Sequence, residues 1–180
     1  MSDSKEDLIL QVTENMVRQG GYNSFSFRKI AEEVGIKSAS VHYHFPTKGE
    51  LAAAVTKRYT ENFINAIGHP EDIHSSGKSP IDVYISAFRS ALTENNGVCL
   101  GGMLGAEVGS LPEVVIEETR VFFSRNVEWL QRAYQCLGYE GDIKAKAMQT
   151  VSLLEGAMII SNVMKDIAYF DSSTELLKLK

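Results

Sequence analysis

The chain has 180 residues, 44% of them hydrophobic, which is enough for one large domain or two small ones with a real core. No run approaches ~18 apolar residues and the start, MSDSKEDLIL, is polar and acidic, so we expect a cytoplasmic protein with no membrane partner. The net charge of −5 argues against a nucleic-acid partner, because binding phosphates requires cations.

The distribution of charge matters more than its total. Residues 1–67 hold eight Lys or Arg and eight Asp or Glu, whereas residues 68–180 hold ten and fifteen. From Arg28 to Arg58 there are six cations against three anions. A locally basic module on an acidic body remains compatible with DNA binding.

The first predicted elements are two helices with recognisable ends. Apolar residues at helical spacing predict a helix from Ser4 to Gln19, which Gly20 and Gly21 end. Ser26 is the predicted N-cap of a short second helix, and Gly35 closes it.

Another short helix and a long one are predicted next. Ser38 can cap a helix from Ala39 to Phe45, with Phe45 in the core, and Pro46 stops it. The run 47–50, Thr-Lys-Gly-Glu, has the pattern of a capping box that opens a long amphipathic helix to about Ile67.

The second half is predicted to be helical as well. The Gly-, Ser- and His-rich stretch 68–79 predicts a linker, and Asn95-Asn96-Gly97 predicts a break. An all-α protein of about nine helices results. The remaining predicted helices span 80–94, 102–108, 112–137, 142–167 and 172–180.

Residues 24–50 have the length and the glycine of a helix-turn-helix. Its second helix would enter the major groove, and the predicted solvent face carries hydrogen-bond donors and no carboxylate. The start of the next helix favours a phosphate because its backbone N–H groups are free. The same residues also suit a plain three-helix bundle. The predicted DNA-binding residues are Arg28, Lys37, Ser38, Ala39, Ser40, His42, Tyr43, His44, Thr47 and Lys48.

Two runs in this region, FRKIAEEVG at 27–35 and VHYHFPTKGEL at 41–51, resemble the N-terminal domain of the TetR family of repressors. The resemblance covers roughly residues 5–60, with departures at His42 and Gly49. It implies a homodimer whose two recognition helices enter successive major grooves of a palindromic double-stranded DNA operator. It also implies that Tyr43, His44 and Lys48 contact phosphates.

The resemblance further implies three parts: a helix-turn-helix DNA-binding domain at 1–50, a connecting helix and linker at 51–79, and a ligand-sensing and dimerisation bundle at 80–180. A small-molecule inducer is the implied ligand. The predicted ligand-binding residues are Tyr84, Phe88, Cys99, Met103, Phe122, Trp129 and Met158. The predicted dimer interface is Val151, Leu154, Gly156, Met158, Ile159 and Val163. Packing inside one protomer is the alternative for both sets.

Cys99 lies in the glycine-rich stretch 97–109, where a kinked short helix is a predicted moving part. The run G-x-C-L-x-x-x-L-x-A-E resembles the subgroup that contains the N-ethylmaleimide reductase repressor, which implies electrophile sensing through the cysteine. A cysteine near a helix start is more nucleophilic. A small buried core residue is the alternative for Cys99, and the favoured interpretation of Cys136.

Enzymatic functions have no support in the sequence. It contains no phosphate-binding glycine loop, HExxH, CxxC or G-x-S-x-G motif, so we expect no catalytic residue, no metal and no cofactor. Three functions remain open: a repressor released by a small molecule, an electrophile- or redox-sensing repressor acting through Cys99, and a helical interaction module without DNA binding.

Overall fold

A computed structural model describes residues 4–94 and 97–177, and it confirms the predicted all-α fold. Short 3-10 helices lie at Tyr22–Ser24, Val108–Ser110 and Glu175–Leu177. The α-helices in chain order are α1 (Lys5–Gly20), α2 (Phe27–Val34), α3 (Ser38–His44), α4 (Lys48–Ile67), α5 (Pro70–Ser75), α6 (Pro80–Glu94), α7 (Leu100–Ala106), α8 (Glu113–Cys136), α9 (Ile143–Met164) and α10 (Ala168–Thr174).

The chain divides into two compact units, each built from two segments. The first comprises Met1–Glu61 and Leu100–Phe122, and the second comprises Asn62–Cys99 and Phe123–Lys180. The predicted boundaries after residues 50 and 79 differ from this division. Compactness depends on which segments meet in space, and α7 joins the N-terminal helices although it follows them by many residues in the sequence.

Several predicted helix limits differ from the structure. The helix predicted at 102–108 is α7, two residues earlier, and the helix predicted to end at residue 167 is α9, which ends at Met164. The predicted linker contains α5, which has Pro70 in its first turn, where the missing N–H costs nothing. Ser38 is the first residue of α3, and the N-cap is Lys37, with no side-chain hydrogen bond. The last helix starts at Ala168, four residues earlier than predicted. The predicted break at 95–96 and the chain end at 178–180 lie outside the described residues.

The predicted ends of α1 and α2 agree with the structure. The side chain of Ser4 caps α1 in a reciprocal pair with Asp7, and Ser26 Oγ accepts the backbone N–H of Lys29 at 3.3 Å. Gly35 has φ +74°, a left-handed conformation that glycine adopts without strain. Local hydrogen bonds therefore fix α1 and α2 where the sequence places them.

The first unit has one apolar core. Its members come from α1 to α4, from Phe25 before α2, and from the segment 100–115. Burial of this apolar surface is the main term that holds the unit together. The fully or nearly buried residues are Ile9, Leu10, Val17, Phe25, Ile30, Ala31, Val41, Phe45, Leu51, Ala52, Val55, Leu100, Leu104, Leu111 and Val115.

The second unit is held by aromatic residues and by one side of α9. The rings of Tyr84 and Trp129 stack at 5.2 Å, and the Tyr84 hydroxyl donates to Asn126 Oδ1 at 2.5 Å. Tyr134 and Thr150 share a hydrogen bond of 2.7 Å inside the unit. Among the described residues, no helix has the length and apolar character needed to cross a membrane.

Candidate nucleic-acid interface

The turn between α2 and α3 is fixed by its own backbone hydrogen bonds. The N–H of Gly35 and the N–H of Ile36 both donate to the carbonyl of Ala31, the latter at 2.9 Å. Both hydrogen bonds can form because Gly35 adopts the left-handed conformation. Two apolar anchors, Val41 at 0% exposure and Phe45 at 7%, then hold α3 against the core. The turn and the anchors orient the remaining face of α3 outward.

The outward face of α3 carries hydrogen-bond donors, and no residue of the helix is acidic. Tyr43 is 84% exposed, which is unusual for a large aromatic side chain. The helix itself contains no acidic residue. Of the predicted contact residues, Lys37, Ala39 and His42 are exposed as well, while Ser38, Ser40 and His44 are half-buried. The residues of α3 therefore present hydrogen-bond donors to solvent and contribute no carboxylate that would repel phosphate.

Three of the predicted contact residues have partners within the unit. Arg28 Nε lies 2.9 Å from Glu32 Oε1, the ring edge of His42 packs on Phe27 at 4.3 Å between centroids, and His44 Nδ1 lies 3.6 Å from Glu6 Oε2. The Arg28 pair is fully at the surface, where such pairs contribute little to stability. These contacts orient the three side chains.

The capping box at the start of α4 differs from its predicted form. The N–H of Glu50 donates to Thr47 Oγ1 at 3.1 Å, as expected. The Thr47 hydroxyl in turn donates to Glu50 Oε2 at 2.8 Å, so the carboxylate lies at the first turn of α4. A phosphate at this helix start has to compete with that carboxylate for the hydroxyl.

Lys48 lies in an aromatic site that the sequence did not reveal. Its Nζ is 4.5 Å from the ring centre of Tyr22 and 4.6 Å from that of Phe25, within cation–π range of both. Burial lowers the pKa of Lys48, and the charge of Glu107 opposes that shift. The ammonium is thus held in one place at the start of α4.

Tyr22, Phe25 and Glu107 are therefore site residues that sequence reasoning missed. The signal for the two rings is weak: Tyr22 begins a 3-10 helix after Gly20-Gly21, and Phe25 directly follows that helix. Glu107 lies 85 residues from its hydrogen-bond partner, the N–H of Tyr22, and no local pattern points to that pairing.

The predicted ligand-binding residues fall in both units. Met103 and Phe122 belong to the first unit, where the Phe122 ring packs on Tyr59 at 5.8 Å. Tyr84 and Phe88 belong to the second, where their rings lie 5.2 Å apart. Cys99, Trp129 and Met158 are also buried residues of the second unit. Phe63, which no sequence pattern singled out, packs edge-on against Tyr84 and Phe88.

Cys99 lies beside a buried acid in the second unit. The thiol is 2% exposed and donates a hydrogen bond to the carboxyl of Glu155 on α9. Glu155 Oε1 is shielded from solvent and has no hydrogen-bond partner among the described residues. Burial raises the pKa of Glu155 to about 7, and the Cys99 hydrogen bond partly offsets the shift. The side chain of Cys99 is therefore enclosed within the second unit, beside Glu155.

The predicted dimer residues lie on two different faces of α9. Val151, Leu154 and Met158 are buried inside the protomer, so they leave no surface for a partner and that part of the prediction needs correction. Ile159 and Val163 are 48% and 73% exposed. The exposed apolar side chains of α9 are Met148, Ile159, Ile160, Val163 and Met164.

These features define a helix-turn-helix DNA-binding protein. The family model described as "Bacterial regulatory proteins, tetR family" matches residues 9–55. A TetR transcriptional regulator from Legionella pneumophila is 32% identical over 98% of this chain and 96% of its own, with a TM-score of 0.86. A TetR-family regulator from Agrobacterium tumefaciens is 28% identical, with coverages of 96% and 95% and a TM-score of 0.85.

The reduced form of E. coli NemR shares the fold, with 16% identity, coverages of 97% and 95% and a TM-score of 0.83. The chain belongs to the TetR family. It is accordingly a DNA-binding transcriptional regulator, as members of this family are, and not an enzyme.

Proposed function

We propose that the chain is a dimeric repressor that binds a palindromic DNA operator through α2 and α3 and is released from it by a small molecule. The observation that carries the proposal is the outward face of α3, on which Tyr43 is 84% exposed and to which the helix itself contributes no carboxylate. An exposed tyrosine on a rigidly anchored helix offers a ring and a hydroxyl to a partner at little entropic cost. Lys37 and His42 extend the same face.

Salt-dependent DNA binding by the full chain tests this proposal. A duplex recovered by in vitro selection from a random library serves as the probe, and affinity is measured between about 50 and 200 mM salt, a window over which several phosphate contacts lower affinity ~10³-fold. We expect Lys37→Ala to weaken binding and to reduce the salt slope by about one. Lys144→Ala, an exposed lysine at the start of α9, is the matched control. Absence of binding, or binding insensitive to salt, contradicts the proposal.

The exposed apolar side of α9 supports the dimer. Val163 at 73% exposure and Met164 at 51% continue a row that includes Ile159 and Ile160. A contiguous apolar surface of this kind on a helix is typical of a subunit interface. Val163→Asp is expected to shift the chain to a monomer in light scattering. Val108→Asp, an exposed valine of the first unit, is expected to leave the molar mass unchanged.

The aromatic residues around Tyr84, together with Glu155, are the proposed effector site. A buried carboxyl oxygen without a partner is a costly feature that a ligand donating a hydrogen bond would relieve. The aromatic side chains would supply apolar contact to such a ligand.

The cysteine-sensor alternative is tested at the same place. N-ethylmaleimide is added to the DNA complexes of the wild-type chain and of Cys99→Ser. Because Cys99 is buried at 2% exposure, we expect similar behaviour of the two proteins. Release of the wild-type chain alone would establish the sensor.

A further inference from the structure

Glu107 connects the segment after α7 to the start of the DNA-binding helices. Its carboxylate Oε2 accepts the backbone N–H of Tyr22 at 2.7 Å, and the contact is partly buried. Both residues belong to the first unit. A charge-assisted hydrogen bond of this length is among the stronger non-covalent contacts in a protein.

Hydrogen bonds and buried neighbours hold the backbone at Glu107 in place. Its own N–H donates to the carbonyl of Leu104 at 3.0 Å, and its carbonyl accepts the N–H of Ser110 at 2.9 Å. Leu104 and Leu111 on either side are 1% and 8% exposed within the core of the unit. The position of the carboxylate is therefore set by the packing of α7 and of the residues after it.

The receiving turn has room for the carboxylate because residue 21 is a glycine. A Cβ at Gly21 would overlap the Glu107 carboxylate, and the φ of +73° also favours glycine. The turn is held further by Ser24, whose hydroxyl lies 2.6 Å from the carbonyl of Met16. The positive φ of Gly21 and its lack of a side chain therefore both allow the Glu107 carboxylate to bind at this turn.

The turn fixed by Glu107 carries the rings that hold Lys48. Tyr22 and Phe25 pack edge to face at 5.8 Å, and Lys48 Nζ lies within 4.6 Å of both ring centres. The charge of Glu107 also acts directly on Lys48. A continuous series of contacts therefore runs from α7 through the 21–25 turn to the first residue of α4.

We infer that Glu107 is a positioning residue for DNA binding: by holding the 21–25 turn, it fixes the Lys48 ammonium at the start of α4, where it meets a DNA phosphate. This inference rests on the proposed function, since it requires that the chain binds DNA. A lysine fixed before binding loses less conformational entropy when it meets the phosphate. The Glu107 carboxylate is thus a polar connection between the segment after α7 and the DNA-contacting lysine, beside the apolar core that α7 shares with α1 to α4.

The test compares affinities and salt slopes of full-length variants for the duplex recovered by in vitro selection. Glu107→Ala is expected to lower affinity roughly tenfold, the size of one charge-assisted contact, and to reduce the salt slope by about one. Glu107→Gln keeps an oxygen acceptor for the N–H of Tyr22 and is expected to recover most of the affinity. Glu117→Ala, an exposed glutamate of the same unit, is the matched control and is expected to bind as the wild type does.

A double-mutant cycle separates positioning from a general loss of structure. Lys48→Met keeps much of the apolar stem and removes the charge, so Glu107→Ala is expected to cost less than about twofold more in that background. Circular dichroism and light scattering establish that each variant is folded and of wild-type mass.

Three outcomes overturn the inference. They are wild-type affinity in Glu107→Ala, equal weakening by Glu107→Ala and Glu107→Gln, and a full tenfold effect of Glu107→Ala in the Lys48→Met background. If the wild-type chain itself recovers no duplex, the proposed function fails, and that result is distinct from these three.

Discussion

One partly buried charge in each compact unit shows a contrast in the partners it has. In the first, the ammonium of Lys48 lies against the rings of Tyr22 and Phe25, with the carboxylate of Glu107 acting on it. In the second, the carboxyl of Glu155 receives one thiol hydrogen bond, and no cation of the described residues offsets its burial. For Lys48 a neighbouring opposite charge opposes the effect of burial on the pKa, whereas Glu155 has no such charge and lowers stability when it ionises.

This difference matches the tasks proposed for the two units. A DNA-contacting surface benefits from groups that are fixed before the DNA arrives. A site that binds a small molecule benefits from a polar group whose hydrogen-bonding capacity is not yet filled. The following predictions are ordered from the largest expected effect to the smallest.

The first prediction concerns α7 as part of the fixed unit. Leu104 is 1% exposed and belongs to the core formed with α1 to α4. Leu104→Ala is expected to lower the free energy of unfolding by about 2–4 kcal/mol, because it leaves a cavity that the core cannot fill. Urea unfolding followed by circular dichroism measures the effect. Leu176→Ala, at 81% exposure, is the control, and an equally small change in both would show that α7 is not part of the core.

The second prediction concerns the unpaired acid. The pKa of Glu155 is raised from 4.5 to about 7 in the folded chain, so the folded chain binds more protons than the unfolded chain between these values. Stability from this group is therefore fully present below pH 4.5 and is lost as the pH rises through about 7.

The glutamine side chain in Glu155→Gln is neutral at every pH, so the variant does not lose stability through ionisation at this position. The variant is expected to be more stable than the wild type by about 1–3 kcal/mol at pH 8, and the gain is expected to be much smaller at pH 5. Thermal or urea unfolding at the two pH values measures the difference. A stability difference that does not change between pH 5 and pH 8 would contradict the assignment of a raised pKa to Glu155.

The third prediction concerns the turn that orients α3. At Gly35, with φ +74°, no atom lies within 4 Å of the position of a Cβ, so Gly35→Ala adds backbone strain and no collision. The expected loss in the free energy of unfolding is about 1–2 kcal/mol. Gly109 also has open space but no positive φ, and Gly109→Ala is expected to cost nothing. Equal effects in the two variants would remove backbone strain as the cause.

The smallest expected effect distinguishes two serines at helix starts. Ser26 caps α2 through the N–H of Lys29, so Ser26→Ala is expected to lower the free energy of unfolding by about 0.5–1 kcal/mol. Ser38 makes no capping hydrogen bond in α3, and Ser38→Ala is expected to change it by less than about 0.5 kcal/mol. The reverse order would show that α3 is capped at Ser38.

The sequence by itself determined the all-α fold and the limits of α1, α2, α4 and α6. These are decided by local interactions: a serine and its acid three residues on, a left-handed glycine, an apolar periodicity. The outward face of α3 follows for the same reason, because two anchors four residues apart, Val41 and Phe45, leave only one side of a seven-residue helix for solvent.

Only the tertiary structure decided the rest. Helix α9 carries apolar residues all round, so its sequence cannot tell that Leu154 faces inward and Val163 outward. The burial of Glu155 depends on which helices surround it, and the contact of Glu107 with Tyr22 joins residues 85 positions apart. Such long-range contacts arise from packing the whole chain, and no local pattern encodes them.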